Sequence, residues 1–234
     1  MKPMLPLTAL GLIFGLTAAQ AGPVQDFEGQ LRGSYASYRT ALFATNSGDA
    51  GKSAKALDGF GQSWSGLAGQ YAKAPPPQYA TDPKWPETMA AVQSQIDAAR
   101  AQIAAGDLPA AHLTLEAVRE EFGGLHQRND MSNFSDRMND YHAAMEEVLA
   151  LDLATTDPVT LAKHAGILTY LATRIAHRPA PEAAGNAEYD SLQAPFLASV
   201  TAFDSAVTSG DAAAIKAAVD GLKVPYSKFF LKFG

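Results

Sequence analysis

The residues best suited to chemistry lie in 108–149, LPAAHLTLEAVREEFGGLHQRNDMSNFSDRMNDYHAAMEEVL. Two copies of one tetrad stand there: His112-Leu-Thr-Leu-Glu116 and His142-Ala-Ala-Met-Glu146. In a helix, positions i and i+4 share a face, so each tetrad presents an imidazole beside a carboxylate. Facing helices that carry such pairs are how bundles build sites for transition metals such as iron, copper or zinc. If the two segments fold back on each other around Asp130, Glu116 falls level with Ala144 and His142 with Val118. Each histidine then lies within about a turn, roughly 3 to 6 Å along the axis, of the other tetrad's glutamate. The next reversal, near Thr156, sets His164 level with Val148 and half a turn from Glu146. His112, Glu116, His142, Glu146 and His164 are therefore the expected metal ligands.

Each of these residues also has a plainer reading. His and Glu at i,i+4 also pair as hydrogen-bonded couples on solvated faces, and His164 also reads as a core histidine bonded to Glu146. The ferritin-like di-metal pattern is Glu-x-x-His, and the order and spacing here differ. Met138 and Met145 could add soft ligands for copper; at heptad spacing with Met131 they read as core filler. Arg119 falls beside His142 and opposes a cation unless Glu116 or Asp140 pairs with it. Asp136, Asn139 and Asp140 offer oxygen ligands, although Asp136 also suits a first helical turn. His126 and His177 read as cations at helix C-termini, and Glu120-Glu121 as a solvated face.

The elements that must position these groups read as helix throughout. The stripe Phe27, Leu31, Tyr35, Tyr38, Leu42 recurs at steps of three and four. Leu57, Phe60, Trp64, Leu67, Tyr71 continue the pattern with an a/d seam. Further stripes occupy 87–105, 108–126, 133–151, 159–177, 188–208 and 211–222. Sustained alternation is missing, so no strand is expected. The joints Ser47-Gly48-Asp49, Ala105-Gly106-Asp107 and Ser209-Gly210-Asp211 each place a glycine to close one helix before an aspartate to cap the next. Thr156-Asp157-Pro158 supplies an Asp cap with Pro at the first helical position. Longer proline-rich breaks at 74–86 and 179–186 separate these hairpins. The expected fold is all-α, with about eight helices in four antiparallel hairpins. They assemble into two tandem four-helix bundles, 22–127 and 132–234, that pack against each other.

The first residues, MKPMLPLTALGLIFGLTAAQAG, have the form of a secretory signal. Lys2 is the basic start, Leu7 to Ala18 the apolar core, and Ala19-Gln20-Ala21 the cleavage motif, so 1–21 is read as a signal peptide. The expected location is periplasmic or secreted, with no membrane span after cleavage. The chain of 234 residues holds no cysteine. That excludes disulfides, thiolate metal sites and covalent c-type haem through C-x-x-C-H. A net charge of −6 argues against nucleic acid and anionic membrane surfaces and mildly favours cations. No G-x-S-x-G, P-loop or dinucleotide fingerprint occurs, so an enzyme is not expected.

Hairpins joined by Gly-Asp turns in an exported helical chain resemble the periplasmic four-helix-bundle cytochromes of the c-prime and b562 type. The resemblance covers architecture and the segment Val207 to Phe230. In the c-prime cytochromes the last helix carries the haem motif. The stretch Leu222-Lys-Val-Pro-Tyr-Ser-Lys-Phe-Phe holds neither cysteine nor histidine. The Met/His pair of a b562-like site also lacks its counterparts, so the resemblance implies a shared fold and carries over no functional residue.

Two classes of function follow from the residues. The first is an exported helical protein holding a transition-metal ion between its fourth, fifth and sixth helices, for delivery, storage or buffering. The second is a metal-free scaffold that docks another periplasmic protein through an inter-bundle groove or the aromatic tail. That tail, Pro225 to Gly234, alternatively closes the second bundle with Phe229, Phe230 and Phe233. Non-covalent haem is a third and weaker reading.

Overall fold

The computed structural model describes residues 22–234, and the expected signal segment 1–21 lies outside them. The described residues form α-helices and two short 3-10 turns, Pro77–Tyr79 and Pro181–Ala183. The helices are α1 (Pro23–Asn46), α2 (Ala50–Tyr71), α3 (Trp85–Ala104), α4 (Leu108–Arg128), α5 (Phe134–Leu149), α6 (Pro158–His177), α7 (Ala187–Ser209), α8 (Ala212–Asp220) and α9 (Lys223–Phe233). All the expected helical segments are present, and the aromatic tail adds α9. No helix among them is long and apolar enough to cross a membrane.

The turns form for the reasons their residues supply. Gly48, Gly106 and Gly210 take positive φ of 78°, 80° and 70°, a conformation that any side chain would strain. The next residue caps the following helix in each case. Asp49 accepts from the Lys52 amide, Asp107 from Ala110, and Asp211 from Ala213 and Ala214. Asp157 accepts from Val159 and Thr160 ahead of α6, whose first residue is Pro158. The α4–α5 link turns on Asp130, at φ 54°, and ends in a capping box between Asn133 and Asp136.

Helices α1 to α4 pack in sequence and close by α1 against α4. Helices α5, α6 and α7 follow, and the two short helices α8 and α9 together take the fourth place of the second bundle. The apolar stripes point inward and merge into one continuous core running from Phe27 to Phe233. Met138 and Met145 are fully buried within it, which settles them as core side chains. The tail is likewise core: Phe229, Phe230 and Phe233 are buried, so they do not form the docking patch that the sequence left open.

The seam between the bundles positions the site. Helices α4 and α5 touch at few points, and α1 packs against α9 across the gap. The Arg39 side chain on α1 donates to the carbonyls of Leu231, Lys232 and Gly234 at the end of α9. Arg32 adds a bond to the Phe233 carbonyl at 3.1 Å. These charge-assisted bonds satisfy the free carbonyls of a helix C-terminus, where positive charge is favoured. With α9 held there, α1, α4, α5 and α9 enclose a groove.

Candidate functional site

The groove has a volume of about 310 Å³, and its lining includes His112, Glu116, His142 and Glu146. Four of the five expected residues thus come to one place. His164 does not: it lies beside Glu147, at 4.0 Å, away from the groove. The helical stripe put His164 at the right height, but α6 presents it to a different face of α5 from the one that carries His142 and Glu146.

Glu116 is the hub. Its Oε1 lies 3.6 Å from His112 Nε2, 3.8 Å from His142 Nε2 and 2.5 Å from Arg119 Nη2. The Glu116–His142 approach, together with His126–Asp136 nearer the turn, shows α4 and α5 running antiparallel in the register the sequence predicts. Glu146 stands across the groove and pairs with Lys223 of α9 at 3.0 Å. Arg119 therefore takes the partner expected for it, and Lys223 is a residue that sequence reasoning did not bring in.

The two imidazoles of the groove are held differently. His112 Nδ1 lies 3.1 Å from the Leu42 carbonyl of α1 and 3.2 Å from Thr45 Oγ1. A carbonyl only accepts, so this contact places a proton on Nδ1 and turns Nε2 toward Glu116. His142 stacks on Tyr226, with centroids 5.5 Å apart and planes 26° apart. Its Nδ1 is buried without a hydrogen-bond partner. Burial, with the Arg119 charge adding to it, pushes the His142 pKa down to about 4. His142 is consequently neutral at pH 7, with one of its two ring nitrogens carrying an available lone pair. Among the described residues no group of three or more His, Asp or Glu side chains already stands at metal-ligating geometry.

The histidine that the sequence passed over proves to be the most deeply buried of the seam. His126, in the last turn of α4 as expected, is only 2% exposed. Its Nδ1 donates to Asp136 at 2.9 Å, and its Nε2 lies 3.4 Å from Glu28 of α1. Glu28 in turn accepts from the Tyr79 hydroxyl. Burial works against charge on the ring, yet Asp136 and Glu28 overcome it and hold the His126 pKa up at about 9. Nδ1 is hydrogen-bonded to Asp136 and Nε2 faces Glu28 without a hydrogen bond, so this triad sets an imidazole between two carboxylates and pins α1, α4 and α5 together. Asp136 thus serves the helix cap and His126, not a metal. Only the helix-end position of His126 was readable locally; Glu28 lies on a helix far away in the chain. Asp140 faces Arg174 at 3.5 Å, and His177 stays exposed at the end of α6.

No protein-family model, curated protein or solved structure matches this chain, so what it does has to be read from its own side chains.

Proposed function

We propose that this is an exported helical protein that binds a transition-metal ion in the groove, through His112, Glu116 and His142, to carry, store or buffer it. Glu146 stands on the opposite wall as a further carboxylate, and His164 is not part of the set. One observation carries the reading: a single carboxylate oxygen faces the Nε2 atoms of two imidazoles at 3.6 and 3.8 Å. Donors on one ion with bonds of about 2.0 to 2.1 Å stand about 3.3 Å apart in a tetrahedral site, so each of these two oxygen–nitrogen separations is within a few tenths of an ångström of that value, and ligation requires both imidazoles to turn onto one ion.

The surroundings support ligation. Metal binding requires neutral imidazole, which the groove imposes on His142 before any ion arrives. The Leu42 carbonyl orients His112 as the outer partner of a metal-bound histidine does. Arg119 pairs with Glu116, so loading exchanges one cation for another at that oxygen and keeps the affinity moderate, as suits delivery or buffering. The remaining coordination positions would open toward the groove.

The test is metal content. Protein purified from the exported fraction is analysed by native mass spectrometry and then titrated with zinc, copper and ferrous ions by calorimetry. One ion per chain in the wild type, lost in the His112→Ala/His142→Ala variant, is the expected result. Equal metal content in both proteins, or none in either with no shift in melting temperature, would end this reading. Recovery of the full-length precursor in the cytoplasm alone would end the export part of it.

A metal-free interaction module is the second reading, favoured by one surface. The outer face of α6 exposes Val159, Ile167 and Tyr170 at 64%, 44% and 63%, an apolar stripe that no other helix among the described residues covers.

A further inference from the structure

Arg119 is 5% exposed, and its charge sits at the boundary of two cavities. Among the described residues its guanidinium donates a single hydrogen bond, from Nη2 to Glu116 Oε1. A guanidinium offers five N–H donors in a planar fork, and those of Arg119 that lack a protein acceptor are not sealed from solvent. The remaining donors engage no protein acceptor. One face of the group meets the Phe230 ring at 6.0 Å. This is the geometry of an anion receptor, because a planar fork matches a carboxylate through two parallel bonds.

The rest of the groove says what kind of anion. Glu146 pairs with Lys223, and Arg39 is turned to the carbonyls at the end of α9, which leaves the spare donors of Arg119 as the receptor. One planar fork takes one carboxylate. The walls are apolar: Leu42, Tyr226, Phe230 and Leu231 line the interior. Phe43 and Leu113 stand at the rim, 41% and 69% exposed. A volume of about 310 Å³ matches the lower range of small-molecule sites, which combine apolar walls with a few convergent polar groups.

We propose that the groove binds a small organic monocarboxylic acid, its carboxylate on the free donors of Arg119 and its apolar body between Tyr226, Phe230 and the rim formed by Phe43 and Leu113. This goes beyond the metal reading and does not depend on it, because the donors of Arg119 are available in the metal-free chain.

The experiment is calorimetric titration of chelator-treated protein with 3-phenylpropanoate, using 3-phenylpropanamide and sulfate as controls. The acid should bind, and the amide should bind about tenfold more weakly or worse, because it forfeits a charge-assisted fork. Sulfate, with no apolar body, should bind more weakly as well. Arg119→Gln should weaken the acid about tenfold or more, with little effect on the amide. Because Arg119 is buried, that variant may be judged only if its helical circular dichroism is intact. The exposed rim change Leu113→Glu, which places a like charge at the mouth, should weaken the acid severalfold without touching the core. Equal affinity for acid and amide, or for acid and sulfate, would overturn the proposal, as would unaltered binding to Leu113→Glu and Arg119→Gln. Binding of the acid only after metal is restored would also overturn it while leaving the metal reading standing. Failure of the metal reading shows separately, in the metal content of the histidine variants.

Discussion

His126 and His142 occupy the same seam, on helices that face each other, and both are largely buried. They are nevertheless driven to opposite charge states. His126 lies between Glu28 and Asp136 and is held protonated, with its pKa up at about 9. His142 has Arg119 and Lys223 among its charged neighbours and is held neutral, its pKa down at about 4. Desolvation opposes charge at both positions. At His142 it prevails, because Arg119 and Lys223 offset Glu116 and Glu146; at His126 the carboxylates of Asp136 and Glu28 overcome it. The result divides the seam into a structural end, where an imidazolium ties three helices, and a receptive end, where an unprotonated imidazole faces an open groove.

The sharpest way to break this contrast is His126→Ala. Removing the imidazolium leaves Glu28 and Asp136 buried without their counter-charge, and breaking a buried ion pair from one side costs about 3 to 5 kcal/mol. Urea denaturation at pH 7 measures the loss; a change below about 1 kcal/mol would mean that the triad does not hold the helices.

Next in size are the two pH dependences, which run in opposite directions. A raised histidine pKa gives stability that is complete below the unfolded value and lost as pH climbs through the folded one. The His126 contribution, about 3 kcal/mol, should therefore disappear between about pH 6.5 and 9. His126→Gln should flatten that alkaline slope. A lowered pKa acts on the other side. Unfolded chains take up the proton first, so stability should fall as pH drops from about 6.5 toward 4, by about 2 to 3 kcal/mol. His142→Gln should remove this acid slope and leave the alkaline one. If one variant altered both slopes, the two ends of the seam would not be independent.

The smallest effect isolates the cause. Arg119→Lys should keep the His142 pKa low, whereas Arg119→Gln should raise it by on the order of one unit, as followed by NMR of the imidazole carbons. The His126 titration should be unchanged in both. A His142 pKa indifferent to the Arg119 charge would assign the whole shift to burial.

Much of the fold was legible in the sequence for a physical reason: helices and their ends are local. Spacing of three and four placed Leu57, Phe60, Trp64, Leu67 and Tyr71 on one face, and all of them are buried. Three Gly-Asp joints and one Asp-Pro joint became the four hairpin turns. The tail was less legible, because the aromatics of α9 serve equally as a patch or as a core, and only packing against α7 and α1 separates the two. The candidate site was legible in part. Antiparallel register from a short turn brought Glu116 to His142, since that needs only the rise per residue. It misplaced His164, because height along an axis says nothing about which face a third helix presents.

By itself the sequence determined the helices, their turns, the inward stripes and the two tetrads on neighbouring helices, since each follows from residues within a few turns of one another. The tertiary structure alone decided the electrostatics. It put Glu28 of α1 on His126 and Lys223 of α9 on Glu146. It also left α4 and α5 far enough apart for a groove to open between the tetrads. Charge state depends on every group within a few ångströms whatever its place in the chain, and chain periodicity carries no information about those neighbours.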